Sequence, residues 1–340
     1  MFGPFSLVDV MVMWLILIGL GVVAVAVIVV LLVVMNRASE FRPSQVGFDE
    51  GERFVLADAA RRRILMCVVG VIVVALIARL CGGVLRYGLN LALLPVVASC
   101  VAAGLAALPY DNGVIGAGST GAGGVRVASL RSREPWTYAR WYVLAQPIIV
   151  AVMLIGYLTI TACMGTTDGD GAGRSIRLTK ENSYGVVKGE SGPFPGVYYA
   201  LPLIAATVLL VVLVCAALLR ISRTPAASGW HDGRADRLWR AAMTKFVVFL
   251  SSGSMLADAA GVLYFAGAAT RRVGTNFDTL PPTYADDVYP TLGLLQMAVS
   301  RVMAALALVY LAMAVFAAAR LWIGMRRAAL GTVARKADTR

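Results

Sequence analysis

FVVFLSSGSMLADAAGVLYFAGAA, residues 246–269, is the stretch that decides the fold class of this chain. It contains one charged residue, Asp258, among apolar, aromatic and small side chains. A second stretch, LGLLQMAVSRVMAALALVYLAMAVFAAA at 292–319, also contains one charge, Arg301. A helix of ~20 residues crosses the ~30 Å hydrocarbon core of a bilayer. Both stretches are therefore predicted to be membrane-spanning helices.

Asp258 and Arg301 are predicted to lie at similar depth. Asp258 is ~11 residues, roughly 16 Å, from the outer end of its helix, and Arg301 is ~9 residues, roughly 14 Å, from the outer end of the next. Consecutive helices are usually neighbours, and ionisable groups at this depth usually face a partner or a cavity. The sequence thus predicts that the two charges pair and that the bundle packs around them.

The predicted pair has two interpretations. In the functional one it is a site for a substrate, a proton or an ion, and in the structural one it only locks two helices together. The structural interpretation is favoured, because a paired arginine neutralises the charge that a proton relay would use. Secondary candidates for a polar site within the predicted spans are Asn90, Gln146 and Gln296.

Composition places the whole chain in the membrane class. Of its 340 residues 59% are hydrophobic and only 15% are charged, and the mean hydropathy is +0.77. Soluble domains are less apolar and more charged. The net charge of +12 would suggest nucleic acid in a soluble protein, but here the basic residues lie between apolar runs and no compact basic domain exists. The predicted partner is the lipid bilayer, and no nucleic-acid binding is expected.

Seven spans are predicted within one transmembrane domain covering 1–340. The fold class is all-α, a polytopic bundle with spans at about 10–35, 64–83, 89–108, 141–164, 198–219, 246–269 and 292–319. The segments 36–63, 109–140, 220–245 and 320–340 contain 22 Lys and Arg residues, against 8 in the alternate segments. The positive-inside rule then places the N-terminus outside and the C-terminus in the cytoplasm.

The connecting segments predict further structure. In the cytoplasmic segment 36–63, acids from Asp49 precede a run of arginines, as a helix dipole favours, so a helix should run from about Asp49 into the second span. The cytoplasmic segment 220–245 follows the same plan into the sixth span. In the extracytoplasmic loop 165–197, Ser175–Lys180 and Tyr184–Lys188 are predicted to form a small hairpin around residues 181–183.

An internal repeat is one interpretation of the two cytoplasmic segments. Ala57-Asp58 followed by Arg62 aligns with Ala235-Asp236 followed by Arg240. This suggests a 3+1+3 arrangement of parallel repeats related by an axis along the membrane normal. The alternative is that any two basic helices beside a membrane look alike.

Motifs for catalysis and cofactors are absent from the sequence. The five cysteines form no CxxC, and the one histidine, His231, lies in a predicted cytoplasmic loop, so metal or haem held by histidine in the membrane is not expected. Residues 116–121 match GxGxxG, but no strand precedes them, so a flexible linker is the better interpretation. We therefore expect no enzyme activity, no cofactor and no metal.

The stretch FPGVYYALPL at 194–203, through Leu219-Arg220 to Ala235-Asp236-Arg237-Leu238-Trp239-Arg240, resembles uncharacterised multi-pass membrane proteins of actinobacteria. The resemblance implies a bacterial plasma membrane, a transport or envelope-stress context and an ABC-type ATPase or other membrane subunits as partners. The residues around Gly124-Val125-Arg126 and Trp136 are similar to Sdp-type immunity proteins. The seven-span outline is similar to that of SWEET sugar transporters, whose Pro-Gln signatures are missing here.

The sequence thus supports two functional hypotheses. The leading one is a non-enzymatic, transport-associated component, permease-like or accessory to a transporter. The alternative is a structural, signalling or immunity-type membrane protein without transport activity, in which Asp258 and Arg301 only pack helices together.

Overall fold

The computed structural model describes residues 50–80, 88–108, 134, 136, 138–167, 173–182, 185–224, 234–276 and 288–338. Six helices and three short strands make up this part of the chain. The helices are α1 (Glu50–Leu80), α2 (Leu89–Ala107), α3 (Trp141–Met164), α4 (Val197–Arg223), α5 (Arg234–Asn276) and α6 (Val288–Asp338), and the strands are β1 (Thr166–Thr167), β2 (Gly173–Asn182) and β3 (Gly185–Ser191). The predicted first span, 10–35, and the GxGxxG segment lie outside the described residues.

Every one of the six helices in the described part is long and apolar enough to cross a membrane. These helices match the second to the seventh predicted spans in order, and they are compatible with an integral membrane protein. The prolines predicted within spans three, four and five, Pro95, Pro147 and Pro202, lie inside continuous helices.

Three helices are longer than a single span. α1 begins at Glu50 and α5 begins at Arg234, and each continues without a break into its apolar stretch, as the sequence analysis expects. α6 differs from the prediction, because it runs on past Ala319 to Asp338. The reason is local: residues 320–338 contain no proline, and arginine, alanine and leucine, all strong helix formers, supply more than half of them.

The helices differ sharply in how much of their apolar surface is covered. Along α1, Leu65, Ile72 and Leu76 are 52–56% exposed. Only 17% of the apolar, span-length part of this helix is buried. Water would penalise so large an exposed apolar face, whereas lipid would not. In α5, by contrast, 72% of the apolar, span-length part is buried. The helix that carries Asp258 is therefore the most enclosed of the six.

The strands form one antiparallel sheet in the order β1-β2-β3. The predicted hairpin is confirmed: β2 pairs with β3 from Ile176 opposite Ser191 to Asn182 opposite Gly185. Its turn is later than predicted, because residues 181 and 182 still belong to β2. Arg177 and Glu190 form an ion pair of 2.8 Å across the two strands.

The described chain divides into two compact units. The sheet unit comprises residues 156–201 and 256–309, and the helical unit comprises described residues from 50–155, 202–255 and 310–338. In the helical unit, α1 and α2 form an antiparallel hairpin in which Gly70 lies against Leu105 and Val101.

Within the sheet unit, α5 and α6 pack antiparallel through glycine. A Cβ atom on Gly267 would lie 2.7 Å from the carbonyl oxygen of Gly293, and one on Gly293 would lie 2.6 Å from that of Gly267. Nearby, the hydroxyl of Ser300 donates a 2.7 Å hydrogen bond to the carbonyl of Ala260. Small residues at a helix crossing allow such close backbone contact in membranes.

We expect Gly267→Ala to destabilise the protein by about 1–3 kcal/mol, because the added methyl group has no space against α6. The matched control is Gly261→Ala on the same helix, where a Cβ meets nothing within 4 Å. The control should be neutral or slightly stabilising, since alanine favours helix over glycine. The free energy of unfolding, measured by SDS titration in mixed micelles, checks both, and equal values for the two variants would contradict the packing argument.

Candidate polar site and capping arginines

Asp258 lies deep in the sheet unit, with 5% of its surface exposed. The Ser300–Ala260 hydrogen bond fixes the register of α5 against α6. In this antiparallel register, Asp258 and Arg301 differ in height by less than one helical turn, about 5.4 Å. Arg301 is half-buried. The similar depth agrees with the sequence analysis, while direct pairing of the two charges stays a prediction.

Two neutral polar atoms of the sheet unit are buried without a hydrogen-bond partner in the described part of the chain. They are the hydroxyl oxygen of Tyr157 on α3 and the amide oxygen Oε1 of Gln296 on α6. The Gln296 side chain packs beside Gly267 at the α5–α6 crossing. Buried polar groups nearly always have a hydrogen-bond partner. A water or a polar ligand is therefore the expected partner of these two oxygens. Gln296 was among the predicted candidates, whereas Tyr157 was missed because a lone tyrosine in an apolar run carries no distinctive signal.

The other two secondary candidates lie in the helical unit. Asn90 is 7% exposed, and its Nδ2 donates a 2.8 Å hydrogen bond to the carbonyl of Ala78 in the last turn of α1. Asn90 thus caps α1 through its Nδ2, while its buried Oδ1 has no hydrogen-bond partner among the described residues. Gln146 on α3 has a buried Oε1 with no hydrogen-bond partner among the described residues.

A second cap closes the opposite end of the α1–α2 hairpin. Arg63 of α1, 7% exposed, donates a 2.7 Å hydrogen bond to the carbonyl of Leu105 in the last turn of α2. Between the two caps, the thiol of Cys67 lies 3.5 Å from the carbonyl of Ala102. Each helix of the hairpin thus supplies a donor for the other's final carbonyl groups.

Arg240 of α5 is the largest fully buried side chain in the described chain, with no exposed surface. Its guanidinium donates to the carbonyl oxygens of Ile221, Ser222 (3.0 Å) and Thr224 (2.6 Å) at the end of α4. The ring centroids of Tyr138 and Trp239 lie 5.5 and 5.6 Å from its Cζ. The negative end of the α4 dipole and two aromatic rings therefore stabilise the buried cation.

The two arginine caps bear on the predicted repeat. The alignment matches Arg240 with Arg62. The arginine of α1 that caps another helix is Arg63, one position later. Arg63 caps the helix that follows α1 in the chain, and Arg240 caps the helix that precedes α5. Both arginines bond the final carbonyl groups of a neighbouring helix, but they do not occupy matching positions in the alignment. The repeat therefore stays a prediction.

Buried hydroxyls line a crevice between α2 and α5 in the helical unit. Ser99 and Ser251 line it together with Ala102, Ala103, Phe246, Val247 and Leu250. The crevice has no room for a water molecule, and the hydroxyl of Ser251 donates to its own helix at Val247 and Val248. This crevice is therefore packing, not a ligand site. Within the described residues, His, Cys, Asp and Glu form no group of three that could hold a metal ion.

Comparison with known proteins adds no family assignment. No protein-family model, curated protein or solved structure matches this chain. The resemblance to actinobacterial membrane proteins therefore stays a prediction.

Replacing Arg240 tests the cap on α4. We expect Arg240→Gln to lower the free energy of unfolding by about 2–4 kcal/mol, because buried carbonyl groups lose their donors. Arg240→Lys should restore little of this loss, since an ammonium cannot reproduce the planar fork of a guanidinium. Arg223→Gln, at an exposed arginine in the last turn of α4, is the control and should change the value by less than about 0.5 kcal/mol. SDS titration measures all three, and a stable Arg240→Gln protein would show that the cap contributes nothing.

Proposed function

We propose that this chain is a transport-associated integral protein of the bacterial plasma membrane, without enzyme activity, and that the region around Asp258 binds a polar solute. The observation that carries the proposal is the burial of Asp258, 5% exposed, within α5, the most enclosed apolar helix of the described chain. An acidic side chain at this depth is costly and usually marks a path for a substrate or an ion.

The polar atoms in the same unit support solute binding over packing alone. A pair that served only to lock helices would be best surrounded by apolar groups or by satisfied polar ones. Here Tyr157 and Gln296 bury an oxygen that no described residue satisfies. Each such group costs about 1–3 kcal/mol unless a partner arrives, and a polar solute or water would be that partner.

The alternative is a structural, signalling or immunity-type membrane protein. The close backbone contact between Gly267 and Gly293 and the caps from Arg63 and Arg240 favour it, because they describe a tightly fastened bundle. In that case Asp258 and Arg301 would serve to hold α5 to α6.

An ATP-driven transport role requires a partner that hydrolyses ATP, and co-purification tests for one. The proposed partner is an ABC-type ATPase or another membrane subunit, because the sequence contains no Walker motif of its own. Purification from the native cell in mild detergent should then recover an ATPase in stoichiometric amount. Recovery of the chain alone would argue against an ATPase-coupled role.

The solute site is tested by ligand-dependent stability of the purified protein with Asp258→Asn. Amino acids, sugars and inorganic ions are screened, and one class is expected to stabilise the wild type by about 2.7 kcal/mol at ~100 times its Kd. Asp258→Asn should fold and lose this response. Glu134→Gln, the same loss of charge in the helical unit, should keep it.

The structural alternative predicts a different result from the same variants. Asp258→Asn and Arg301→Gln would each lose folded protein, and the double exchange Asp258→Arg with Arg301→Asp would restore part of it. No stabilising solute for the wild type, together with that rescue, would overturn the transport proposal.

A further inference from the structure

The three-stranded sheet is held directly between two of the helices of its unit. We call residues 166–167, 173–182 and 185–196 the sheet cap. β1 starts two residues after the end of α3, and Gly196 immediately precedes α4. The amide of Phe194 donates a 2.7 Å hydrogen bond to the carbonyl of Arg174, which ties the segment after β3 back to β2.

Glycines hold the sheet cap close to the helix ends. A Cβ on Gly165 would lie 2.8 Å from the Cα of Gly196, and a Cβ on Gly196 would collide with the carbonyl of Gly173. In addition, Nη1 of Arg272 on α5 donates a 3.4 Å hydrogen bond to the carbonyl of Gly192. The backbone of the cap therefore sits directly on the ends of α3 and α4.

Two apolar side chains of the sheet cap are inserted against α5. Ile176 and Phe194, each 2% exposed, form one buried cluster with Ala266, Ala269 and Val273 of α5. Tyr157 of α3 packs against the same cluster. These contacts bury two large apolar side chains of the cap against α5.

The cluster covers the same face of α5 that carries Asp258. Asp258, Val262, Ala266, Ala269 and Val273 follow one another at spacings of four, four, three and four residues, and all five are buried. Residues at this spacing lie on one face of a helix. Ala266, the first of them in the cluster, is eight residues from Asp258, or ~12 Å along the axis.

We propose that the sheet cap is a gate over the solute site, with Phe194 and Ile176 as the residues that close it. A solute approaching Asp258 along this face of α5 from the end that the cap covers must displace both side chains. The inference rests on the proposed function, because it names how access to the same site is controlled. Tyr157 then has two roles, since its ring supports the closed gate while its hydroxyl oxygen is open to a polar ligand.

Thiol labelling of purified protein tests the gate without knowledge of the solute. In a background with the five native cysteines replaced by alanine, Val262→Cys places a probe on the covered face, between Asp258 and the cap, and leaves Asp258 intact. The probe residue is 6% exposed, so N-ethylmaleimide should react slowly. Phe194→Ala should raise the rate by about tenfold or more, because a buried aromatic side chain no longer holds the gate shut.

Two controls separate gating from general loosening. Ala307→Cys on α6, 3% exposed in the same unit and outside the cluster, should label no faster with Phe194→Ala. Ile176→Ala is a second gate variant, to be used if Phe194→Ala does not fold, and it should also raise labelling at Val262→Cys. Unchanged labelling at Val262→Cys, or an equal rise at both probes, would overturn the gate.

The result is independent of whether a solute is found. If labelling follows the prediction but no solute stabilises the protein, the cap still controls access to this face of α5, while the transport proposal, and with it the role of the cap as a gate for a solute, fails. If a solute binds in a manner that depends on Asp258 and labelling does not change, the site stands and access must follow another route.

Discussion

The carbonyl groups in the last turn of a helix have no partner within that helix, and where the helix end is buried in protein, water cannot supply one. In this protein, side chains from neighbouring helices bond one such carbonyl on α1 (from Asn90), one on α2 (from Arg63) and several at the end of α4 (from Arg240). These bonds decide which helix ends lie together. The α1–α2 hairpin and the corner between α4 and α5 depend on them, because each buried carbonyl left unsatisfied would cost about 1–3 kcal/mol.

The caps also affect the count of Lys and Arg residues from which the membrane orientation is predicted. Arg63 and Arg240 contribute to the excess of 22 over 8 that orients the predicted spans, yet both guanidinium groups are committed to helix ends inside the protein. Without them the comparison is 20 against 8, which still favours a cytoplasmic C-terminus. The predicted orientation therefore does not depend on the two arginines that bond helix ends inside the protein.

Local patterns in the sequence predicted the helices and the hairpin, because hydropathy, helix length and β-branched residues act over short distances. The caps were not predictable in this way. Leu105 is 42 residues from Arg63, and the local sequence does not show which arginine of Arg61-Arg62-Arg63 turns inward. The similar depth of Asp258 and Arg301 could be estimated from the helix ends, whereas the contribution of Tyr157 depends on contacts with the sheet cap that no pattern in α3 reveals.

The backbone contact between Gly267 and Gly293 has a mechanical consequence. Where two helices touch through their main chains, no side chains lie between them that could repack and let one slide past the other. Axial movement of α5 against α6 would drive a carbonyl oxygen into the facing backbone. At this crossing axial sliding of α5 against α6 is therefore opposed, so a displacement of α5 along its axis is expected to carry α6 with it, and the similar height of Asp258 and Arg301 is expected to be preserved.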